Sequence, residues 1–219
     1  MNARTASCPN CGAAIRFRYA QAVQTVCEYC KAVLVRHDLD LTQIGTVGAL
    51  PATSSPIQLG TTGRWHDRPF EVVGRLQYRW ERGRWSEWHC VMGGGESAWL
   101  SDAQLEYAMS RLATPDRAVP PAPSLTVGQR FEWEETAYTV TTLTQAHYEG
   151  TEGDLPFQYW DKRVCWFADL GNVTGKFATI DYSESPPLLY LGEYCTFAEL
   201  SLGNVREFDE WPAAARTAR

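Results

Sequence analysis

The sequence predicts a mainly β protein in which an N-terminal four-cysteine ribbon is followed by two related small antiparallel, open β-barrel-like domains. Three observations carry this. Two C-x2-C pairs stand at ribbon spacing near the amino end, a set of short blocks recurs in the same order in two halves of the chain, and those blocks alternate apolar and polar residues with period two.

The ribbon comes first. Cys8-Pro9-Asn10-Cys11-Gly12 and Cys27-Glu28-Tyr29-Cys30 enclose a gap of fifteen residues. Two residues between cysteines form a tight turn that lets both sulfurs face one ion, about 2.3 Å from each for zinc. Gly12 follows the first pair, where such a turn favours positive φ, and Lys31 holds the same place after the second. Between the pairs, Ala14-Ile15-Arg16-Phe17-Arg18 alternates as a half-buried strand should, and Ala32-Val33-Leu34-Val35 supplies the facing strand. Cys8, Cys11, Cys27 and Cys30 are therefore the expected ligands of one structural Zn2+. Four sulfurs leave no open position for water or substrate, and a segment this small needs metal to fold. A redox pair or an iron–sulfur cluster is the alternative, and iron in place of zinc stays open.

Composition marks divide the rest. Residues 1–44 form the ribbon and 45–56 a small, uncharged linker. Residues 57–113 form the first β unit, 114–123 a proline-rich spacer, 124–211 the second unit and 212–219 a disordered tail. The two units share an order. Leu59-Gly60, Trp65-His66-Asp67 and Phe70-Glu71-Val72 match Val127-Gly128, Trp133-Glu134-Glu135 and Tyr138-Thr139-Val140. Further on, Trp88-His89-Cys90-Val91 parallels Cys165-Trp166-Phe167-Ala168, and Ala98 to Asp102 parallels Phe177 to Asp181. Duplication explains five ordered blocks better than coincidence. Gly93-Gly94-Gly95 predicts a hairpin turn, Leu155 to Tyr159 a loop or edge strand, and Ser101 is read as the N-cap of a helix over 102–112.

Composition limits the function classes. The chain of 219 residues carries a net charge of −6, mildly basic to His37 and acidic from Leu125 to Leu200, which does not make the broad basic face of a nucleic-acid binder. No apolar run approaches the roughly 20 residues of a membrane-spanning helix, and no signal peptide opens the chain, so a cytoplasmic location is expected. Cys90, Cys165 and Cys195 are odd in number and scattered, as buried thiols rather than a disulfide framework.

Motifs for enzymatic chemistry are missing: there is no G-x-S-x-G, H-E-x-x-H or P-loop. No catalytic residue is expected. The histidines are dispersed, and Glu132, Glu134 and Glu135 read as a solvated acidic hairpin end. The distinctive surface is Arg79-Trp80-Glu81-Arg82-Gly83-Arg84-Trp85-Ser86-Glu87-Trp88. There Arg82, Arg84, Trp85 and Trp88 are candidate binding residues at a barrel mouth, for a peptide, a lipid headgroup or a base. The competing reading has tryptophans filling the barrel and arginines coating it.

The order L-G, W, F-x-V-x-G-x-L, W-x-E-W, W-L resembles the bacterial domain-of-unknown-function 4178 family. It is carried by Leu59, Gly60, Phe70, Val72, Gly74, Leu76, Trp85, Glu87, Trp88, Trp99 and Leu100. The second unit keeps Gly128, Tyr138, Val140 and Leu143 without the W-x-E-W element, and the two units are read as tandem copies. The resemblance implies a β-rich bacterial module with no established reaction, among relatives encoded near membrane-stress proteins, small membrane proteins and polyamine-synthesis enzymes. The expected function is a non-enzymatic zinc-binding adaptor that contacts other proteins, some of them membrane-associated, in an envelope-associated system. A nucleic-acid binder using Arg16, Arg18 and the Arg/Trp stretch is the first alternative. A small-ligand binder or enzyme using the cleft between the two units is the second.

Overall fold

The computed structural model describes residues 5–37, 40–48, 50–51, 54–159 and 164–208. The tail expected at 212–219 lies outside them. Antiparallel strands dominate, and no α-helix occurs among the described residues. None of the described residues forms a helix long and apolar enough to cross a membrane.

The ribbon consists of β1 (Thr5–Ser7) against β2 (Ala14–Arg16), and a three-stranded sheet of β3 (Gln24–Val26), β4 (Ala32–His37) and β5 (Asp40–Thr46). The predicted alternation is present: Ile15, Phe17 and Tyr19 are buried while Arg16 and Arg18 are exposed. β4 is buried on both faces. Leu34 joins the ribbon core with Cys8, Cys27 and Phe17, and Val33 packs with Val26 and Val47 on the other side.

The remaining strands are β6 (Thr62–Trp65), β7 (Arg68–Trp80), β8 (Gly83–Met92), β9 (Ser97–Ala103), β10 (Glu106–Leu112), β11 (Arg130–Trp133), β12 (Thr136–Gly153), β13 (Cys165–Gly171), β14 (Lys176–Asp181) and β15 (Leu188–Cys195). They form one ten-stranded sheet in the order β11-β12-β13-β14-β15-β10-β9-β8-β7-β6, closed by a further pairing of β12 with β7. The expected pair of open barrels is thus corrected in one respect: both halves share a single closed circuit, β7-β8-β9-β10-β15-β14-β13-β12. Two long-range seams create it. β10 runs along β15 from Tyr107↔Cys195 to Leu112↔Tyr190, and the end of β12 runs along β7 from His147↔Arg79 to Gly153↔Gly74.

The internal duplication is visible in backbone detail. His66-Asp67 and Glu134-Glu135 each make a two-residue hairpin turn with both φ values between 48° and 59°. Gly60 and Gly128 have φ of 84° and 90°, and their N–H groups donate to Val72 O and Val140 O at 2.8 Å each. A bulge follows each of those valines, at Val73 and at Thr141. The later blocks align differently from the sequence expectation. Val72, Cys90 and Ala98 lie side by side as Val140, Leu170 and Ala178 do, so Trp88 corresponds to Ala168 and Ala98 to Ala178.

The helix expected over 102–112 is a hairpin. Gln104 and Leu105 both take positive φ, 54° and 74°, as a two-residue turn of that hand requires, and β9 and β10 pair on either side. Tyr107 and Met109 are buried on the outward face while Ala108 and Ser110 point inward, so pairing with β9 and β15 overrides the helix propensity of the segment.

Register sets which side chains face the barrel interior. Outward residues of each half fill a separate apolar core, Phe70, Val72, Trp88 and Leu100 in one and Tyr138, Val140, Leu170 and Ile180 in the other. Inward residues meet in the closed barrel. At one end Leu76, Tyr78, Trp99 and Tyr190 pack against Leu155 and Tyr159, with Phe157 beside them, so the segment after β12 plugs that end. Its tie to the ribbon begins with a bridge between Leu155 and Gln24.

Candidate metal centre and barrel cavity

Each C-x2-C pair forms the same knuckle. Gly12 N–H donates to Cys8 O at 2.8 Å and Cys8 N–H to Ala13 O at 2.8 Å; Lys31 N–H donates to Cys27 O at 3.0 Å and Cys27 N–H to Ala32 O at 2.9 Å. The turn bends the chain left-handed after its last cysteine, at φ 76° for Gly12 and 60° for Lys31. Lys31 therefore carries out, after the second pair, the same turn that Gly12 makes after the first. The result brings the four sulfurs together, all within 4.8 Å, with Cys8 to Cys30 and Cys11 to Cys27 each 3.7 Å apart. A tetrahedral shell with bonds of about 2.3 Å puts neighbouring sulfurs roughly 3.8 Å apart, so the cluster already has the size of a metal shell. Its electrostatics point the same way. A hydrogen bond from the Asn10 side chain, then one from Ala32, hold Cys30 down at about 6. The backbone bond from Ala13 pulls Cys11 down, but burial and the three other sulfurs push it up to about 12. Binding of a metal by thiols replaces their protons.

A buried carboxylate keys the ribbon to the barrel. Asp154, only 2% exposed, accepts hydrogen bonds from Arg18 N–H at 2.6 Å, Tyr19 N–H at 2.9 Å and Thr25 Oγ1 at 2.6 Å. Burial raises its pKa, and those three donors pull it back. Beside it, Gln24 makes two bonds with the Tyr159 backbone, and Val23 N–H donates to Leu155 O at 2.9 Å. Gly74 permits this approach, since a Cβ there would lie 2.1 Å from Asp154 O. His89 completes the junction. Its Nδ1 lies 2.8 Å from the Asp154 carbonyl, which can only accept, so Nδ1 carries the proton and Nε2 accepts from Ser97 Oγ at 2.8 Å. Burial holds this imidazole neutral, down at about 4.

At the end away from the plug the barrel opens into a cavity of about 450 Å³, walled by Trp80, Trp85 and Phe167 and floored by Glu87, Ser101 and Asp169. Trp85 Nε1–H donates to Glu87 Oε1 at 2.9 Å, and Ser101 Oγ donates to Glu87 Oε2 at 2.6 Å. Three of the candidate binding residues, Arg82, Arg84 and Trp85, line this cavity. The fourth does not: Trp88 is fully buried on the outward face, with the Arg75 guanidinium over its ring at 4.7 Å. Adjacent alternate residues of β8 face opposite sides, so Trp85 and Trp88 cannot share a surface. Arg16 and Arg18 line a different space, a cleft of about 870 Å³ between ribbon and barrel. Sequence reasoning singled out neither Glu87 nor Asp169 as a site residue. Their signal was available for Glu87, which sits two residues from Trp85 and so shares its face.

Burial first, and then Asp169 and Asp181, push Glu87 up to about 8 against its two hydrogen bonds; burial also pushes Asp169 up to about 6, opposed by Thr179. Both native values lie above the ordinary carboxyl range, so the folded chain holds more protons than the unfolded one. Stability contributed by these groups is present in acid and is lost as pH rises through about 6 and then about 8. Glu87→Gln is expected to remove the upper part of that loss, which urea midpoints at about pH 5, 7 and 9 would read.

The fold and the cysteine cluster define a ribbon-bearing closed β-barrel protein with a metal-competent four-thiolate centre. The family model described as domain of unknown function (DUF4178) matches residues 58–197, and the chain belongs to that family. One match spans both halves, so there is one copy where the sequence reading had two in tandem, and the ribbon lies outside it. No curated protein and no solved structure gives a significant match to the chain.

Proposed function

We propose that the chain is a non-enzymatic zinc-binding scaffold that works by holding other proteins. The closed set of four sulfurs carries the reading. Four thiolates complete the tetrahedral shell of Zn2+, the soft donors suit that ion, and no position is left for water or substrate, so the metal stabilises rather than reacts. Other reactive side chains are similarly quiet: burial pushes the Cys90 thiol far up and Cys195 to about 11, and both His89 nitrogens are engaged.

Protein contact fits the outward face of β12 and β13. Trp166 is 50% and Leu143 41% exposed, and register makes them diagonal neighbours on that face. Nucleic acid fits less well, because Arg84 and Arg79 are both committed to Glu149 and Arg18 to Glu71. A cytoplasmic place in a bacterial membrane-stress or envelope-associated system follows from the family resemblance. The test is capture from a lysate of the source organism with tagged wild-type chain and with Trp166→Asp. A protein held by the first and lost by the second, at equal metal content and unfolding temperature, is the expected result. Identical captures, or material that nuclease removes, would contradict it.

A further inference from the structure

The barrel cavity has an acidic floor that the scaffold reading does not use. Register places Glu87 on β8, Asp169 on β13 and Asp181 on β14 facing inward, and places no lysine or arginine on the inward face of the closed circuit. The two arginines of the cavity belong to the β7–β8 turn region. Arg84 is bound to Glu149 at 2.7 Å, and the Arg82 guanidinium lies over Trp80, 5.5 Å from the ring centroid. Burial, with Asp169 and Asp181, raises the pKa of Glu87, and burial raises that of Asp169. Around them stand indole and phenyl walls, Trp80, Trp85 and Phe167, with Trp80 and Trp85 edge-to-face at 6.3 Å. Carboxylates beside aromatic faces form the chemistry that takes an ammonium group, through charge and through the ring quadrupole, while the walls cover a hydrocarbon body. An anion would meet Glu87 and Asp169 here, and a neutral molecule would leave their repulsion unrelieved.

We propose that the cavity at the open end of the barrel binds a small organic cation, an ammonium group on an apolar body, with Glu87 and Asp169 facing the charge and Trp80 and Trp85 flanking the body. This stands apart from the metal centre and from the outward face of β13, so it holds or fails independently of the scaffold reading.

The probe is benzylammonium, titrated into the full metal-loaded chain beside benzyl alcohol and benzoate. The Trp85 indole N–H, which donates to Glu87, is followed by NMR, and heat by calorimetry. The expected result is a saturable shift of the Trp85 signal by benzylammonium, binding about tenfold or more tighter than benzyl alcohol, and none by benzoate. Glu87→Gln and Asp169→Asn should each weaken benzylammonium by roughly fivefold or more. If Glu87→Gln does not fold, Asp169→Asn alone decides. No saturable shift up to about 10 mM, equal binding of the alcohol, preference for benzoate, or undiminished binding in the folded variants would overturn the proposal.

Discussion

Asp154→Ala is expected to separate the ribbon from the barrel and to cost about 3–5 kcal/mol of stability. The magnitude follows from what the substitution leaves behind. The amides of Arg18 and Tyr19 and the Thr25 hydroxyl all donate to one carboxylate at 2.6–2.9 Å, in a junction where Tyr19, Gln24 and Thr25 are buried. Alanine removes the acceptor and leaves three donors without their partner. Asp154→Asn keeps one accepting oxygen but turns an NH2 group toward donors, so it should recover only part of the loss. The damage should reach beyond the junction, because the Asp154 carbonyl fixes His89 and the next residue, Leu155, begins the plug. Limited proteolysis should cut the ribbon of the variant while the β13–β15 strands persist; wild-type resistance would refute the keying role.

Cys27→Ser is expected to abolish metal binding and unfold the ribbon. Cys27 is fully buried and its sulfur lies 3.7 Å from that of Cys11, so serine substitutes a harder, poorer ligand at the centre of the cluster. The ribbon strands of three residues bury too little to persist alone. Structural zinc in comparable small modules supplies on the order of 10–16 kcal/mol, far more than the junction bonds can replace. Loss of the ribbon would uncover Val73, which packs into the ribbon core from β7. A chelator should reproduce the effect in wild type and add nothing in the variant.

Local chemistry was legible in the sequence, and distant pairing was not. The cysteine spacing announced the four-sulfur cluster, because a knuckle is a turn of a few residues. The paired W-x-x blocks and Gly60 and Gly128 announced duplicated hairpins for the same reason, and they occupy matching turns. The later blocks slipped in alignment because buried strands accept any apolar residue: Trp88 and Ala168 hold equivalent places with very different volumes. Closure of the barrel was hidden, since the His147–Gly153 stretch carries no mark of its partner on β7. The helix expected over 102–112 rests on Ser101 as an N-cap, although Tyr107 and Met109 already alternate with Ala108 and Ser110. Nothing in the sequence singled out Asp154 or Asp169; only the three-dimensional neighbours reveal what they face.

X-ray absorption at the metal edge of the purified wild-type chain tests the central claim most directly, with Cys27→Ser as its control. One zinc per chain with four sulfur neighbours at about 2.3 Å, lost in the variant, is the predicted result. Oxygen or nitrogen neighbours in the first shell, or a metal-free chain whose ribbon stays folded, would contradict it.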